Sequence, residues 1–199
     1  MRTKILLIIF LIANFQSFSQ NRAPVTRDNT CLTTQEEQLA KLINEYRAAK
    51  KLPPIPVSVS LSHVARLHVI DLDKSFKIGG RCNLHSWSSD PRWSSCCYTP
   101  DHRKSECMWD KPRELTSYTG DGYEIAYYST YDYPNESAFL KDAVEGWKSS
   151  KGHWEIVINE GKWEDVEWRA MGVGVYGDYA VVWFGELKDP QGSPKVCNY

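Results

Sequence analysis

The sequence predicts an α+β fold: an α-β-α sandwich in which a small, mainly antiparallel sheet lies between helix layers. Two helical periodicities near the N terminus, a hairpin pattern near the C terminus and a cysteine-rich segment between them lead to this prediction. The order helix, helix, strands, helix, hairpin is typical of layered folds, in which each element buries one apolar face. A disulfide-held loop insertion is expected at residues 86–122.

Two helices are predicted in the first part of the chain. Thr34 and Glu37 have the spacing of a capping box that opens a helix running to about Lys51, and Pro53-Pro54 ends it. The second helix is expected from Ser60 to about Lys74. Its apolar positions recur at helical spacing. They are Leu61, Val64, Ala65, His68 and Leu72.

A third helix and a hairpin are predicted in the second half. The helix starts near Asn135, which either caps it or, in a glycosylating host, serves as the acceptor of an Asn-Glu-Ser sequon. Residues 171–186 form two apolar runs joined by Gly177-Asp178, which suits a tight II′ turn. Gly172 and Gly174 leave one strand face without side chains, which predicts close packing of another element there.

Six cysteines in a chain that we expect to be exported favour disulfides over metal binding. Cys96 and Cys97 are neighbours and point in different directions, so each needs its own partner. We expect Cys82 to pair with one of them and Cys107 with the other, while Cys31 pairs with Cys197. The alternative is a zinc site formed by Cys96, Cys97, His102 and Cys107.

The N-terminal residues have the pattern of a signal peptide. Arg2 and Lys4 precede an apolar run, and small residues at Ser17 and Ser19 suit cleavage. We therefore predict a signal peptide at 1–19 and a single domain at 20–199, secreted or periplasmic. The apolar run is too short to span a bilayer comfortably. The 24 Lys+Arg and 25 Asp+Glu give a net charge of −1. The chain therefore lacks the excess positive charge that is typical of nucleic-acid-binding proteins.

Residues 147–186 resemble the C-terminal half of the CAP superfamily domain, also called the SCP domain. The resemblance rests on Trp147, the pair Gly152-His153 and the series Gly172-Val-Gly174. The superfamily includes the cysteine-rich secretory proteins, antigen 5 and the pathogenesis-related proteins, and this chain is similar to the bacterial members. The helix, Leu-Pro-Pro, short link and helix at residues 34–74 also resemble the opening of that domain.

The resemblance implies a cleft lined by two histidines and a glutamate. His85 and His153 match the two histidines of the family pattern, and Glu124 matches one of its two glutamates. Ser150 stands where many eukaryotic members have the second glutamate, and Glu145 lies a half-turn before Trp147. Two imidazoles and a carboxylate suit zinc with an open position for water. The same groups could equally form a metal-free hydrogen-bonded network or serve the fold alone.

The other histidines and the tryptophans have simpler interpretations. His68 is expected to be buried and satisfied, and His102 to be solvated in the loop. Trp147 and Trp183 lie on apolar periods and are predicted to be in the core. The remaining tryptophans either pack the loops or form a surface for sugar rings. They are Trp87, Trp93, Trp109, Trp154, Trp163 and Trp168.

The function expected from these observations is a secreted, non-enzymatic module that binds a ligand at the cell envelope or outside the cell. The ligand would be a small apolar molecule, a glycan or a protein, and the module would be a monomer without a membrane span. One alternative is a metal-assisted hydrolase that uses His85, Glu124 and His153, with zinc activating a water molecule. Another is a glycan-binding module that uses the loop tryptophans.

Overall fold

The helices and strands of the computed structural model follow the predicted order. The structure describes residues 25–26, 29–77 and 79–198, so the predicted signal peptide at 1–19 lies outside the described residues. The α-helices are α1 (Thr34–Ala49), α2 (Val59–Ser75), α3 (Glu106–Trp109), α4 (Lys111–Leu115), α5 (Glu136–Ser149) and α6 (Lys151–Ile158). The strands are β1 (Cys31–Leu32), β2 (Tyr123–Tyr128), β3 (Ala170–Tyr176), β4 (Tyr179–Gly185) and β5 (Lys195–Val196), and a 3-10 helix covers Gly161–Trp163.

The main sheet has three strands in the order β2-β4-β3, and both pairings are antiparallel. The predicted hairpin is confirmed: β3 and β4 pair directly and are joined at Gly177, which has a φ of 54°. The short strands β1 and β5 pair in parallel near the two chain ends.

Each face of the sheet is covered by helices, which confirms the α-β-α sandwich. Successive strand residues point to opposite faces. Val182 and Ile125 lie in the core shared with α1, α5 and α6, whereas Val181 and Ala126 lie in the core shared with α2 and the cysteine-rich loop. Trp147 and Trp183 are buried in these two cores, as predicted.

The first helix begins one residue earlier than the sequence suggested. Thr33, not Thr34, is the N-cap, and its capping box uses Glu36 rather than Glu37. Both spacings satisfy the local pattern, so a tertiary contact distinguishes them. Glu36 is buried and forms an ion pair of 2.5 Å with Arg66 of α2. The second and third helices begin within one residue of the predicted positions.

The bare face of β3 is where α2 packs. A Cβ atom added to Gly172 would lie 2.2 Å from the backbone carbonyl carbon of Leu61, and one added to Gly174 would lie 2.5 Å from the carbonyl oxygen of Ala65. Both distances are far below van der Waals contact, so only glycine lets the helix backbone approach this closely. The predicted close packing at this face is therefore confirmed.

The cysteine-rich segment is held by the predicted disulfides. Cys82 pairs with Cys97, Cys96 with Cys107, and Cys31 with Cys197, and the described residues include no free cysteine. The alternative zinc site at these cysteines is therefore wrong. The expectation of little regular structure at 86–122 needs correction, because α3 and α4 lie within it. These helices are too short for a periodicity to show in the sequence.

We predict that Gly174→Ala destabilises the protein by about 1–3 kcal/mol, because the new methyl group would overlap the α2 backbone. Gly152→Ala is the matched control. Gly152 lies in α6 with no atom within 4 Å of its added Cβ, so alanine should be neutral or stabilising by up to about 1 kcal/mol. Chemical denaturation would measure both. A Gly174→Ala variant as stable as the wild type would contradict the proposed packing.

Candidate functional site

Glu124 is a buried carboxylate at the centre of a histidine cluster. It lies on the edge strand β2, where strand alternation turns it to the same side as Ala126, towards α2. Its side chain is fully buried, and each carboxylate oxygen contacts a different imidazole. Oε1 lies 2.5 Å from Nδ1 of His68, and Oε2 lies 2.8 Å from Nδ1 of His85.

His68 reaches Glu124 from the buried face of α2. Its Nε2 lies 3.0 Å from the carbonyl oxygen of Ser86, which can only accept a hydrogen bond, so this nitrogen carries a proton. Its Nδ1 shares a second proton with Glu124. The ring also stacks on Trp87 at 4.4 Å with an interplanar angle of 6°. His68 is therefore held on both edges and one face.

His85 reaches Glu124 from the start of the disulfide-held loop. The carboxylate accepts a hydrogen bond from Nδ1–H. In a neutral His85 the lone pair is therefore on Nε2. The His85 side chain is 15% exposed, and its ring packs against Tyr98 at 5.1 Å. Glu124 therefore fixes both the tautomer and the orientation of a partly accessible imidazole.

His153 comes from the opposite helix layer. The helix pattern is interrupted at Ser150 and resumes as α6, so His153 lies in the first turn of a second helix and not in a loop after α5. Its ring centroid is 6.5 Å from that of His85. The structure thus places His85, Glu124 and His153 side by side at the β2 edge of the sheet.

The cluster controls which of its groups are charged. Burial alone would raise the pKa of Glu124, but the hydrogen bonds and positive charge from His68 and His85 outweigh it and lower the pKa of this carboxyl group. Glu124 is therefore a carboxylate. Burial, and then the charge of His85, lower the pKa of His153. His153 is therefore neutral at neutral pH and carries a lone pair.

Sequence reasoning did not assign His68 to this site. It placed His68 correctly on the buried face of α2 and expected it to be satisfied there. A buried imidazole needs partners for both nitrogens, and that requirement was the available signal. No local pattern indicated that Glu124, 56 residues later, would be one of them. Glu145 is directed elsewhere, since its carboxylate accepts a hydrogen bond from Tyr46 and pairs with Lys148.

The donor atoms of the cluster are suited to a divalent metal, although their arrangement differs from a three-ligand site. Neutral His85 and His153 are donors that zinc accepts, and a carboxylate on the second N–H is a common support for such a histidine. Both oxygens of Glu124 contact imidazole nitrogens, so this carboxylate would support His85 and would not itself bind the metal. Two imidazoles on one tetrahedral zinc have ring centroids roughly 5 Å apart. The His85 and His153 centroids are 6.5 Å apart, so the two rings would have to move closer to share an ion. Within the described ranges, no three His, Cys, Asp or Glu side chains are arranged to hold an ion.

Most of the loop tryptophans pack the interior. Trp87, Trp93 and Trp168 are buried, and Trp93 packs against Trp87 at 5.2 Å. Trp163 packs against Trp168, and the indole N–H of Trp168 donates to the carbonyl of Ile156. Of the two interpretations of these rings, packing is the one that Trp87, Trp93 and Trp168 follow. They offer no surface to a glycan.

The chain belongs to the cysteine-rich secretory protein family, also called CAP, whose family model matches residues 40–182. This range includes all members of the histidine cluster. A search of curated proteins finds no match. Within the described part of the chain, no helix combines the length and apolar character needed to cross a membrane.

Three solved bacterial structures are similar over 77% of this chain. An outer surface protein from Borrelia burgdorferi has 19% identity and a TM-score of 0.51, and the match covers 93% of that protein. A cysteine-rich secretory protein from Staphylococcus aureus has 18% identity and a TM-score of 0.48, and an extracellular SCP-domain protein from Bacillus anthracis has 19% and 0.49. The match spans 39% and 40% of these two chains. At 19% identity the likeness to the Borrelia burgdorferi protein shows the fold alone.

We predict that His68→Leu destabilises the protein by about 3–5 kcal/mol, because it leaves a buried carboxylate without its charged partner. Adding Glu124→Leu should recover part of this loss, since removing both charges avoids the unpaired one. Chemical denaturation of the two single variants and the double variant gives the coupling free energy. Purely additive effects would show that His68 and Glu124 do not form an ion pair.

Proposed function

We propose that this protein is a non-enzymatic CAP module that acts outside the cytoplasm and binds its ligand through the cleft of His85, Glu124 and His153. One observation carries the proposal: Glu124 fixes His85 so that its Nε2 lone pair remains available, with neutral His153 beside it. This arrangement requires a fully buried carboxylate, and burying a charge costs folding free energy. A binding role accounts for such preorganised donors better than a purely structural role.

A divalent cation is the ligand that this donor set fits best, and zinc is the first to test. His85 and His153 would hold the metal, and Glu124 with His68 behind it would orient His85. A bound zinc would supply a Lewis acid to which a further ligand could attach. The chain's own contribution is to keep His153 neutral through burial and to fix the orientation of His85 through Glu124.

Export fits the covalent structure of the chain. Three disulfides link the described cysteines, and such bonds persist in oxidising compartments. The predicted signal peptide at 1–19 would direct the chain there. The proposed location is therefore the extracellular space or the cell envelope.

We do not extend the proposal to hydrolysis by a serine or cysteine nucleophile. A carboxylate-oriented imidazole can act as a general base, but a nucleophile must lie within hydrogen-bond reach of it. Among the described residues, no serine hydroxyl or cysteine thiol is hydrogen-bonded to His85 or His153. The binding function therefore explains the geometry with fewer additional groups.

We predict that wild-type protein gives a saturable heat on titration with zinc and that His85→Ala and His153→Ala each abolish it. Glu124→Gln should weaken binding by about 10–100-fold, because the amide cannot accept from both imidazoles. Isothermal titration calorimetry of folded, metal-free samples makes the measurement.

His102→Asn is the matched control for the zinc titration. His102 lies in the loop with a φ of 57°, a conformation that asparagine tolerates, and it is not a member of the cluster. This variant should bind zinc like the wild type. If His85→Ala also binds like the wild type, or if the wild type binds no zinc, the metal proposal is wrong and the cluster is a hydrogen-bonded network.

A further inference from the structure

Arg47 is a buried cation without an acidic partner among the described residues. It lies at the end of α1 with 2% of its surface exposed. Nε donates to the carbonyl of Pro53 at 3.0 Å, and Nη1 donates to the carbonyl of Val157 and to Oδ1 of Asn159, both at 2.7 Å. All three acceptors are neutral, and no described carboxylate lies within ion-pair distance of the guanidinium.

Among the buried cations of the described chain, Arg47 is the one without an ion-pair partner. The buried anion Asp71 also has none and accepts hydrogen bonds from Ser88. Glu36 pairs with Arg66, Lys111 with Glu114, and Glu124 with His68. Burial lowers the pKa of Arg47 to about 10, with no compensating carboxylate. Burying a charge without a partner is costly, so proteins ordinarily supply one.

Arg47 lines a cavity of about 530 Å³ that none of the cluster histidines line. Nη2 makes no hydrogen bond to a described residue, and it is not among the enclosed, unpartnered atoms of the chain. Nε and Nη1 are already bound to Pro53, Val157 and Asn159. The two N–H groups of Nη2 are therefore the donors left for a ligand in the cavity. The volume lies within the range of small-molecule sites.

The walls and rim of the cavity define what would fit. Apolar groups, including Leu52, Val57 and Trp168, line the walls. Charged residues line the rest: Glu164, Asp165, Glu167, Arg169, Lys188 and Asp189. Glu167 pairs with Arg169, and Asp189 accepts from Ser58 and Ser60. Exposed Glu164, Asp165 and Lys188 remain, so the rim is net negative above a positive floor.

We propose that this cavity binds a small zwitterion of di- or tripeptide size, whose carboxylate pairs with Arg47 and whose ammonium group faces Glu164 and Asp165. A carboxylate would accept a charge-assisted hydrogen bond from Nη2 and would supply the missing counter-ion. The apolar walls would contact the aliphatic or aromatic side chains between the two charged ends. The site is separate from the histidine cluster.

Three versions of each probe peptide test the two charged ends. The probes are Leu-Leu, Ala-Phe and Ala-Leu-Leu, each with free termini, with an amidated C terminus and with an acetylated N terminus. Ligand-detected NMR and calorimetry should show millimolar or tighter binding of at least one free peptide. Amidation should weaken it at least about tenfold, because it removes the anion, and acetylation should weaken it several-fold. If no free peptide binds at millimolar concentration, or if amidation has no effect, the proposal is overturned.

Variants locate the site. Arg47→Met should abolish binding of the free peptide, and Ser193→Trp should do the same by filling the cavity from an exposed lining residue. Ser193→Trp leaves every Arg47 contact intact, so it decides the matter if Arg47→Met does not fold. In Glu164→Gln/Asp165→Asn, acetylation should no longer weaken binding. Full binding by folded Ser193→Trp would place the peptide elsewhere and overturn the proposal.

One control separates this cavity from the proposed metal cleft. His85→Ala should lose zinc binding and keep peptide binding, whereas Ser193→Trp should lose the peptide and keep zinc. If His85→Ala loses the peptide as well, the peptide binds at the histidine cluster and the Arg47 proposal is wrong.

Discussion

The close approach of α2 to β3 is the constraint on which the rest of the structure depends. Gly172 and Gly174 let the backbone at Leu61 and Ala65 lie directly on the strand. One turn further along α2, this position brings His68 to Glu124 across the neighbouring strands. A side chain on either glycine would lift the helix, and the ion pair would then lose the short contact that justifies burying its charges.

The disulfide-held loop completes the site from outside the sheet. Trp87 stacks on His68, and the carbonyl oxygen of Ser86 accepts a hydrogen bond from Nε2–H of His68. His85 donates a hydrogen bond to the second oxygen of Glu124. The pairs Cys82–Cys97 and Cys96–Cys107 hold this irregular segment, which has only two short helices of its own. Loops position functional groups well only when something rigid holds them, and the disulfides together with the buried rings do so here.

Two buried charges in this fold, Glu124 and Arg47, differ in whether the described chain supplies a compensating partner. Glu124 is surrounded by imidazoles that compensate it, so its burial is satisfied within the chain. Arg47 contacts only neutral carbonyl and amide oxygens among the described residues, and it lines a cavity. The first arrangement stabilises and orients the cluster, whereas the second leaves a charge for something outside the chain to neutralise.

The sequence by itself determined the elements with a strong local or periodic signal. These are the faces of α1 and α2, the start of α5 at Asn135, the hairpin about Gly177 and the bare face of β3. It also led to the three disulfide pairs as one of two ways to pair Cys96 and Cys97. Apolar periodicity, turn residues and the absence of side chains are local properties, so a single sequence shows them.

Tertiary structure decided the rest. The choice between two capping boxes depends on Arg66, which reaches Glu36 from another helix. The helix α6 is short, and Gly152 in its first turn weakens the local signal. Above all, the pairing of His68 with Glu124 joins residues from α2 and β2, and no local pattern encodes which buried imidazole meets which buried carboxylate. That choice follows from how the layers pack, because only packing sets the distance between elements far apart in the chain.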